Sequence, residues 1–158
     1  MSESYFVKPG DAVPDVTLLD AAGEEVHLQE VIFGKPAVIL FYPKDGSPVC
    51  TAEACAFRDS YAEFRQAGAV VLGISRDSPK SHRSFARRHT LPYVLFTDPD
   101  GEAGRQFGIG RTLWLLSGRV TFVVNKEGIV TRRFSSQFRA KKHLAEALEG
   151  LRELRPRE

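Results

Sequence analysis

The chain has 158 residues, 42% hydrophobic and 27% charged, with 22 Lys and Arg against 20 Asp and Glu for a formal net charge of +2. That size and balance predict one domain over residues 1–158, with its own core and frayed ends at about 1–5 and 155–158. A near-neutral charge argues against nucleic-acid or anionic-membrane partners, and the longest apolar run, 37–42, falls far short of the ~20 residues of a membrane span. The first residues show neither an apolar leader core nor an Arg-rich transit pattern. Two cysteines do not make a secreted disulfide framework. The expectation is a cytoplasmic protein whose cysteines matter for their reactivity.

In chain order, Val16 to Leu19 and Glu25 to Leu28 flank Ala21-Ala22-Gly23 and predict a hairpin. The continuous apolar run from Ala37 to Tyr42 predicts a buried central strand. From Thr51 to Gln66 the pattern turns helical, with Cys50, Ala54, Phe57, Tyr61 and Phe64 on one face at spacings of three and four. A strand follows over 69–75, and a helix from Ser78 to about His89 turns Phe85 inward. A third strand, Tyr93 to Thr97, leads through Asp98-Pro99-Asp100-Gly101 into a short helix ending near Phe107. Val120 to Asn125 and Ile129 to Phe134 read as a second hairpin around Gly128, and a helix from Gln137 to Leu154 closes the chain. Strands alternating with helices predict an α/β three-layer sandwich: a central mixed β-sheet flanked by helices, with an N-terminal hairpin. In such sheets ligands sit beyond the carboxyl ends of the parallel strands, where Cys50 lies.

Cys50 and Cys55 are the only cysteines. Cys50 follows a loop carrying Pro43, Gly46, Ser47 and Pro48, and it opens a helix. Only the thiolate is a good nucleophile, and a helix N-terminus favours an anion. The Ser47 hydroxyl is a donor for the sulfur or for an incoming oxygen, and the prolines stiffen the loop. Five residues along a helix separate Cα atoms by roughly 8.7 Å, beyond the roughly 4.4–6.8 Å a disulfide spans. A Cys50–Cys55 bond therefore requires the helix start to unwind. The competing reading is that both cysteines are small core residues, and for Cys55 taken alone that reading is preferred.

The pattern Pro43-x-x-x-Ser47-x-x-Cys50 resembles the active-site motif of the peroxiredoxins. The stretch from Phe41 to Asp59, with a second cysteine five positions on, is similar to their bacterioferritin comigratory protein / peroxiredoxin Q subfamily. The likeness continues through Gly73 to Ser78, Ser81-His82, Phe85, Leu91-Pro92, Asp98 to Gly101 and Arg119 to Asn125. It implies a thioredoxin-like fold and a thiol-dependent peroxidase acting on hydrogen peroxide and alkyl hydroperoxides. Cys50 would be the peroxidatic cysteine and Cys55 the resolving one, joined in an intramolecular disulfide that a thioredoxin-type protein reduces. Pro43 would shield the thiolate, Ser47 would hydrogen-bond the peroxide, and Arg119 would be the active-site arginine, with Arg111 as the alternative. No metal, haem or flavin is implied. An intramolecular disulfide needs no second subunit, so a monomer is expected, with a weak dimer as the alternative. The chain departs from the usual pattern at Ser47, where Thr is commoner, at Val49, where Gly is frequent, and at Asn125, where Asp is common.

Two other readings compete with the peroxidase: a peroxide sensor using the same disulfide switch without rapid turnover, and a disulfide reductase, which the lack of Cys-x-x-Cys disfavours. Glu53 is read as a helix-capping residue in preference to a partner of Arg119. The four histidines have no ligand spacing. Lys80, His82, Arg83, Arg87, Arg88 and His89 read as one solvated basic face. Phe41 and Trp114 are candidates for either the pocket wall or the core.

Overall fold

The computed structural model describes residues 7–109, 111–112, 116–117, 119–136 and 139–154. The expected frayed ends, and Trp114, lie outside them. The elements run β1 (Thr17–Leu19), β2 (Glu25–His27), α1 (Leu28–Ile32), β3 (Ala37–Phe41), α2 (Pro48–Asp59), α3 (Tyr61–Gln66), β4 (Val70–Ser75) and α4 (Pro79–His89). There follow β5 (Val94–Thr97), α5 (Glu102–Phe107), β6 (Arg111–Thr112), β7 (Leu116–Ser117), β8 (Val120–Val124), β9 (Val130–Ser135) and α6 (Ala140–Glu153).

Seven strands form one sheet in the order β2-β1-β5-β4-β3-β8-β9. The β3, β4 and β5 strands are parallel, as their helical crossovers require, while β8 and β9 return antiparallel beside β3, and β1 pairs antiparallel with both β2 and β5. This is the expected mixed sheet. Because side chains alternate along a strand, the sheet divides the core in two. Ile39 and Phe41 point to one face, where they pack with Leu28 and Ile32 of α1 and Ala103 and Phe107 of α5. Val38, Leu40 and Tyr42 point to the other, against Cys50, Ala54 and Phe57 of α2, Phe64 of α3, Phe85 of α4 and Ala147 and Leu151 of α6. Helix, sheet and helix make the three layers.

Two elements differ from expectation. The helix predicted from Thr51 to Gln66 begins earlier, at Pro48, and breaks at Ser60, whose φ and ψ of −105° and 12° leave helical space. Serine competes for backbone partners and is a poor interior residue. The break lets Phe64 stack on Phe57 with ring centroids 5.4 Å apart, both fully buried. The short α1 replaces the end of the expected second strand; five residues are too few to show a helical period. Among the described residues, no helix is long and apolar enough to cross a membrane.

Candidate active site

The β3 strand ends at Phe41, and Tyr42 leads into a loop that turns at Gly46, whose φ of +82° suits a residue without a Cβ. Ser47 is the N-cap of α2, and Pro48 takes the first helical position, where its missing N–H costs nothing. Cys50 is therefore in the first turn, where backbone N–H groups have no intrahelical partner. It is 1% exposed. Ser47 makes no side-chain cap; its hydroxyl donates instead to the carbonyl of Lys44 at 3.2 Å. Pro43 is half-buried in the same loop.

Arg119 reaches this helix start because of the sheet register. Phe41 pairs with Val120, so Arg119 stands one residue beyond the β3 end, on the face that α2 covers. Its guanidinium forks: Nη2 donates to Cys50 Sγ at 3.1 Å and Nη1 to Glu53 Oε1 at 3.1 Å. Cys50 and Glu53 are three residues apart on one helical face, which matches the spread of the fork. Glu53 is thus the partner of Arg119 and not a helix cap, which corrects the expectation; it is only 2% exposed. Burial pushes its carboxyl up to about 7 against the opposing pull of Arg119.

Behind Glu53, His143 of α6 accepts from or donates to Thr121 Oγ1 through Nδ1 at 2.7 Å, while its Nε2 lies 2.8 Å from the Ser136 carbonyl. A carbonyl only accepts, so Nε2 carries the hydrogen and, in the neutral ring, Nδ1 is the acceptor. Burial lowers its pKa to about 4. The Glu53 Oε2 atom 3.5 Å away therefore faces a neutral ring and not a cation.

The loop before α2 is tied down by Asp45. Its carboxylate accepts from Tyr42 Oη at 2.6 Å and Ser81 Oγ at 2.8 Å, and lies 2.8 Å from His82 Nδ1. Its own N–H donates to Asp77 Oδ2 at 2.7 Å. Burial raises the Asp45 pKa, but the hydrogen bonds from His82, Tyr42 and Ser81 outweigh it and hold the carboxyl below its ordinary value. Burial and the Asp45 charge push the Tyr42 phenol well above its own.

Cys55, half-buried on the same helix, has its Sγ 3.8 Å from His89 Nδ1. Both thiols are free and α2 is unbroken between them. The basic face expected on α4 therefore loses two members, since His82 is buried against Asp45 and His89 packs on Cys55 and Phe85. Sequence reasoning missed both contacts. The available signal was the run His82, Phe85, His89 at spacings of three and four, the helix's inward stripe. Phe41 belongs to the core on the opposite sheet face, tilted against Phe107 and edge-on to Phe122. The backbone of Arg111 lies in β6, and its side chain is outside what is described. Among the described residues no group of three or more His, Cys, Asp or Glu is placed to hold a metal ion.

The AhpC/TSA family model matches residues 9–133. The chloroplastic peroxiredoxin Q of Gentiana triflora is 45% identical over 146 residues, covering 92% of this chain and 67% of that protein. Among solved structures, the peroxidoxin BcpB of Mycobacterium tuberculosis superposes with a TM-score of 0.88 at 36% identity, over 95% of this chain and 99% of that one. The bacterioferritin comigratory protein of Xanthomonas campestris, solved for its alkyl peroxide reduction activity, gives 0.80 at 30% identity, over 96% and 98%. The cytoplasmic expectation is overturned: similar relatives from Gentiana, Populus, Sedum and Arabidopsis are chloroplastic. Composition and two free thiols suit any reducing compartment equally, so they did not warrant that choice. The family match spans most of the chain and encloses the helix start with both cysteines, and the chain belongs to the AhpC/TSA family as a thiol-dependent peroxidase of the peroxiredoxin Q type.

Proposed function

We propose that Cys50 is the peroxidatic cysteine, Cys55 its resolving partner, and hydrogen peroxide and alkyl hydroperoxides the substrates. The observation that carries this reading is the forked guanidinium of Arg119, which joins the Cys50 sulfur to a buried carboxylate at a helix start. The Cys50 thiolate attacks one peroxide oxygen, the O–O bond breaks, and the other oxygen leaves as water or an alcohol after taking a proton. Arg119 and the free N–H groups of the first turn stabilise the charge moving onto the leaving oxygen. Ser47 joins them once its hydroxyl turns from Lys44, and Pro43 walls the loop. The resulting sulfenic acid condenses with the Cys55 thiol, releasing water and forming an intramolecular disulfide. A thioredoxin-type dithiol protein returns the disulfide to two thiols. The whole of 1–158 acts as one unit, a monomer with no bound cofactor.

Mass spectrometry with thiol labelling after one equivalent of peroxide tests this. A Cys50–Cys55 disulfide should form in monomeric protein, and Cys50→Ser should consume no peroxide. Two surviving thiols and undiminished peroxide would sink the proposal. Steady turnover with a thioredoxin system separates the enzyme from a sensor, which would oxidise once and stop.

A further inference from the structure

We propose that His89 is the proton acceptor for Cys55 in the disulfide-forming step, an inference that rests on the assignment of Cys55 as the resolving thiol. The contact joins two elements: Cys55 lies midway along α2 and His89 in the last turn of α4, with Sγ and Nδ1 3.8 Å apart. The ring is held edge-on to Phe85 at 5.0 Å between centroids. The carbonyl of His89 accepts from Arg58 Nη1 at 2.8 Å, so the same residue is bound to α2 through its backbone as well.

The arrangement suits a step in which α2 has begun to unwind. Its second half is anchored: Tyr93 Oη donates to the Ala54 carbonyl at 2.9 Å in a buried bond, Arg58 holds the end of α4, and Phe57 is fully buried. Its first turn has no side-chain cap and is held at Cys50 by the bond from Arg119. Oxidation of Cys50 removes the sulfur's charge and weakens that bond. The first turn is then the part that gives way, and Cys50 travels to Cys55 while Cys55 stays against His89.

The step balances. The Cys55 S–H proton passes to His89 Nδ1, and the thiolate attacks the Cys50 sulfur. The S–S bond forms as the S–O bond breaks, and the departing hydroxide takes the proton from the imidazolium to leave as water. Cys50 is reduced from sulfenic acid to disulfide as Cys55 is oxidised from thiol to disulfide. The charged and titratable groups around the pair are Arg58 with its partner Asp59 on α2 and Tyr93 ahead of β5, with Glu53 acting on Tyr93 from the Cys50 side. Arg58 keeps its own proton and can accept none, so His89 is distinguished as the group that moves the proton.

Rapid-mixing kinetics with one equivalent of peroxide resolve Cys50 oxidation from disulfide formation. In His89→Ala and His89→Asn the disulfide phase should fall about a hundredfold or more at pH 7, the range of about 10²–10⁴ that general-base catalysis supplies. Added imidazole should partly restore it in His89→Ala. In a Cys50→Ser background, alkylation of Cys55 by iodoacetamide should slow at pH 7 on losing His89. The rates should converge with the parent's above the free thiol's pKa of about 8.5. Unchanged disulfide rates and coincident alkylation profiles in both variants would overturn the assignment. Failure to trap any sulfenic acid on Cys50 in the Cys55→Ser protein would instead overturn the peroxidase roles, and the alkylation profile would still judge the His89 contact by itself.

Discussion

Arg119 and Glu53 are bonded at 3.1 Å with neither side chain more than 3% exposed, and the other arm of the same guanidinium is on the Cys50 sulfur. A buried ion pair is seldom kept for stability, since desolvation offsets much of its attraction. Here it positions the arginine: the carboxylate fixes one arm so that the other meets the thiol. Lysine has no planar fork and cannot hold both partners in this way.

Arg119→Met should lower kcat/KM for peroxide by at least about 10²-fold, the scale seen when one stabilising donor is removed from a reacting centre. It should also destabilise the fold by about 3–5 kcal/mol, because Glu53 is left buried without its partner. Arg119→Met combined with Glu53→Gln should regain much of the stability and none of the rate. Peroxide consumption and thermal unfolding on the three proteins check this; a single variant within threefold of the parent rate would remove Arg119 from the reaction.

Glu53 and His143 impose opposite pH dependences. Glu53 titrates at about 7 in the fold against an ordinary 4.5, so between these values the folded state holds a proton that the unfolded chain has lost, and stability falls as pH rises. His143 titrates at about 4 against 6.5, so the unfolded chain holds the extra proton and stability rises with pH between those values. Each effect is on the order of 3 kcal/mol across its full window. From about 4.5 to 6.5 they oppose one another, and the parent protein should be nearly level. Glu53→Gln should expose the His143 slope, with stability climbing toward pH 6.5, and His143→Gln the reverse slope, falling toward pH 7. Denaturant midpoints at half-unit pH steps measure it, and parallel profiles for all three proteins would refute the pairing.

What could be read from the sequence follows from how local each feature is. The Pro43-to-Cys50 loop, the helix start and the second cysteine form one contiguous segment, so chain order carries them. The parallel core strands show as apolar runs because both faces are covered. The pairs Arg119–Glu53, His82–Asp45 and His89–Cys55 join residues 66, 37 and 34 positions apart, and nothing in local periodicity links them. Glu53 read as a cap because its sequence neighbours suit one; the residues it faces, Arg119 and His143, arrive much later in the chain.

Gly73 shows how the sheet supports the site. A Cβ there would sit 2.8 Å from Leu95 Cδ2 and 3.1 Å from Tyr42 Cε1. The Tyr42 ring covers the glycine, and its hydroxyl holds Asp45. Gly73→Ala should cost about 1–3 kcal/mol, the usual penalty of overpacking. It should also displace Tyr42 enough to loosen the loop before α2. The expected signature is a lower Tm with faster amide exchange at 45–50; a Tm at or above the parent's would show that the ring and Leu95 shift without strain.

Asp45 tethers the loop ahead of the active helix to α4. Asp45→Ala removes the acceptor that the Tyr42 hydroxyl, the Ser81 hydroxyl and His82 Nδ1 share, leaving Tyr42 Oη and His82 Nδ1, 3.3 Å apart, to pair with each other. Bonds to a charged group are worth about 1.5–3 kcal/mol each, and partial rearrangement of the hydroxyls brings the net loss to about 2–4 kcal/mol. Because the folded pKa of Asp45 lies below its ordinary 3.8, its contribution is complete above that value and fades as pH falls through the folded pKa. The gap in stability between parent and Asp45→Ala should therefore narrow from pH 5 toward pH 3. Peroxidase activity should fall as well, since the tether lies two residues ahead of the Ser47 N-cap and sets where the first turn begins. Unfolding curves at pH 3, 5 and 7 decide the first point. A gap that stays the same width at pH 3 would mean that the carboxylate charge is not what holds the loop.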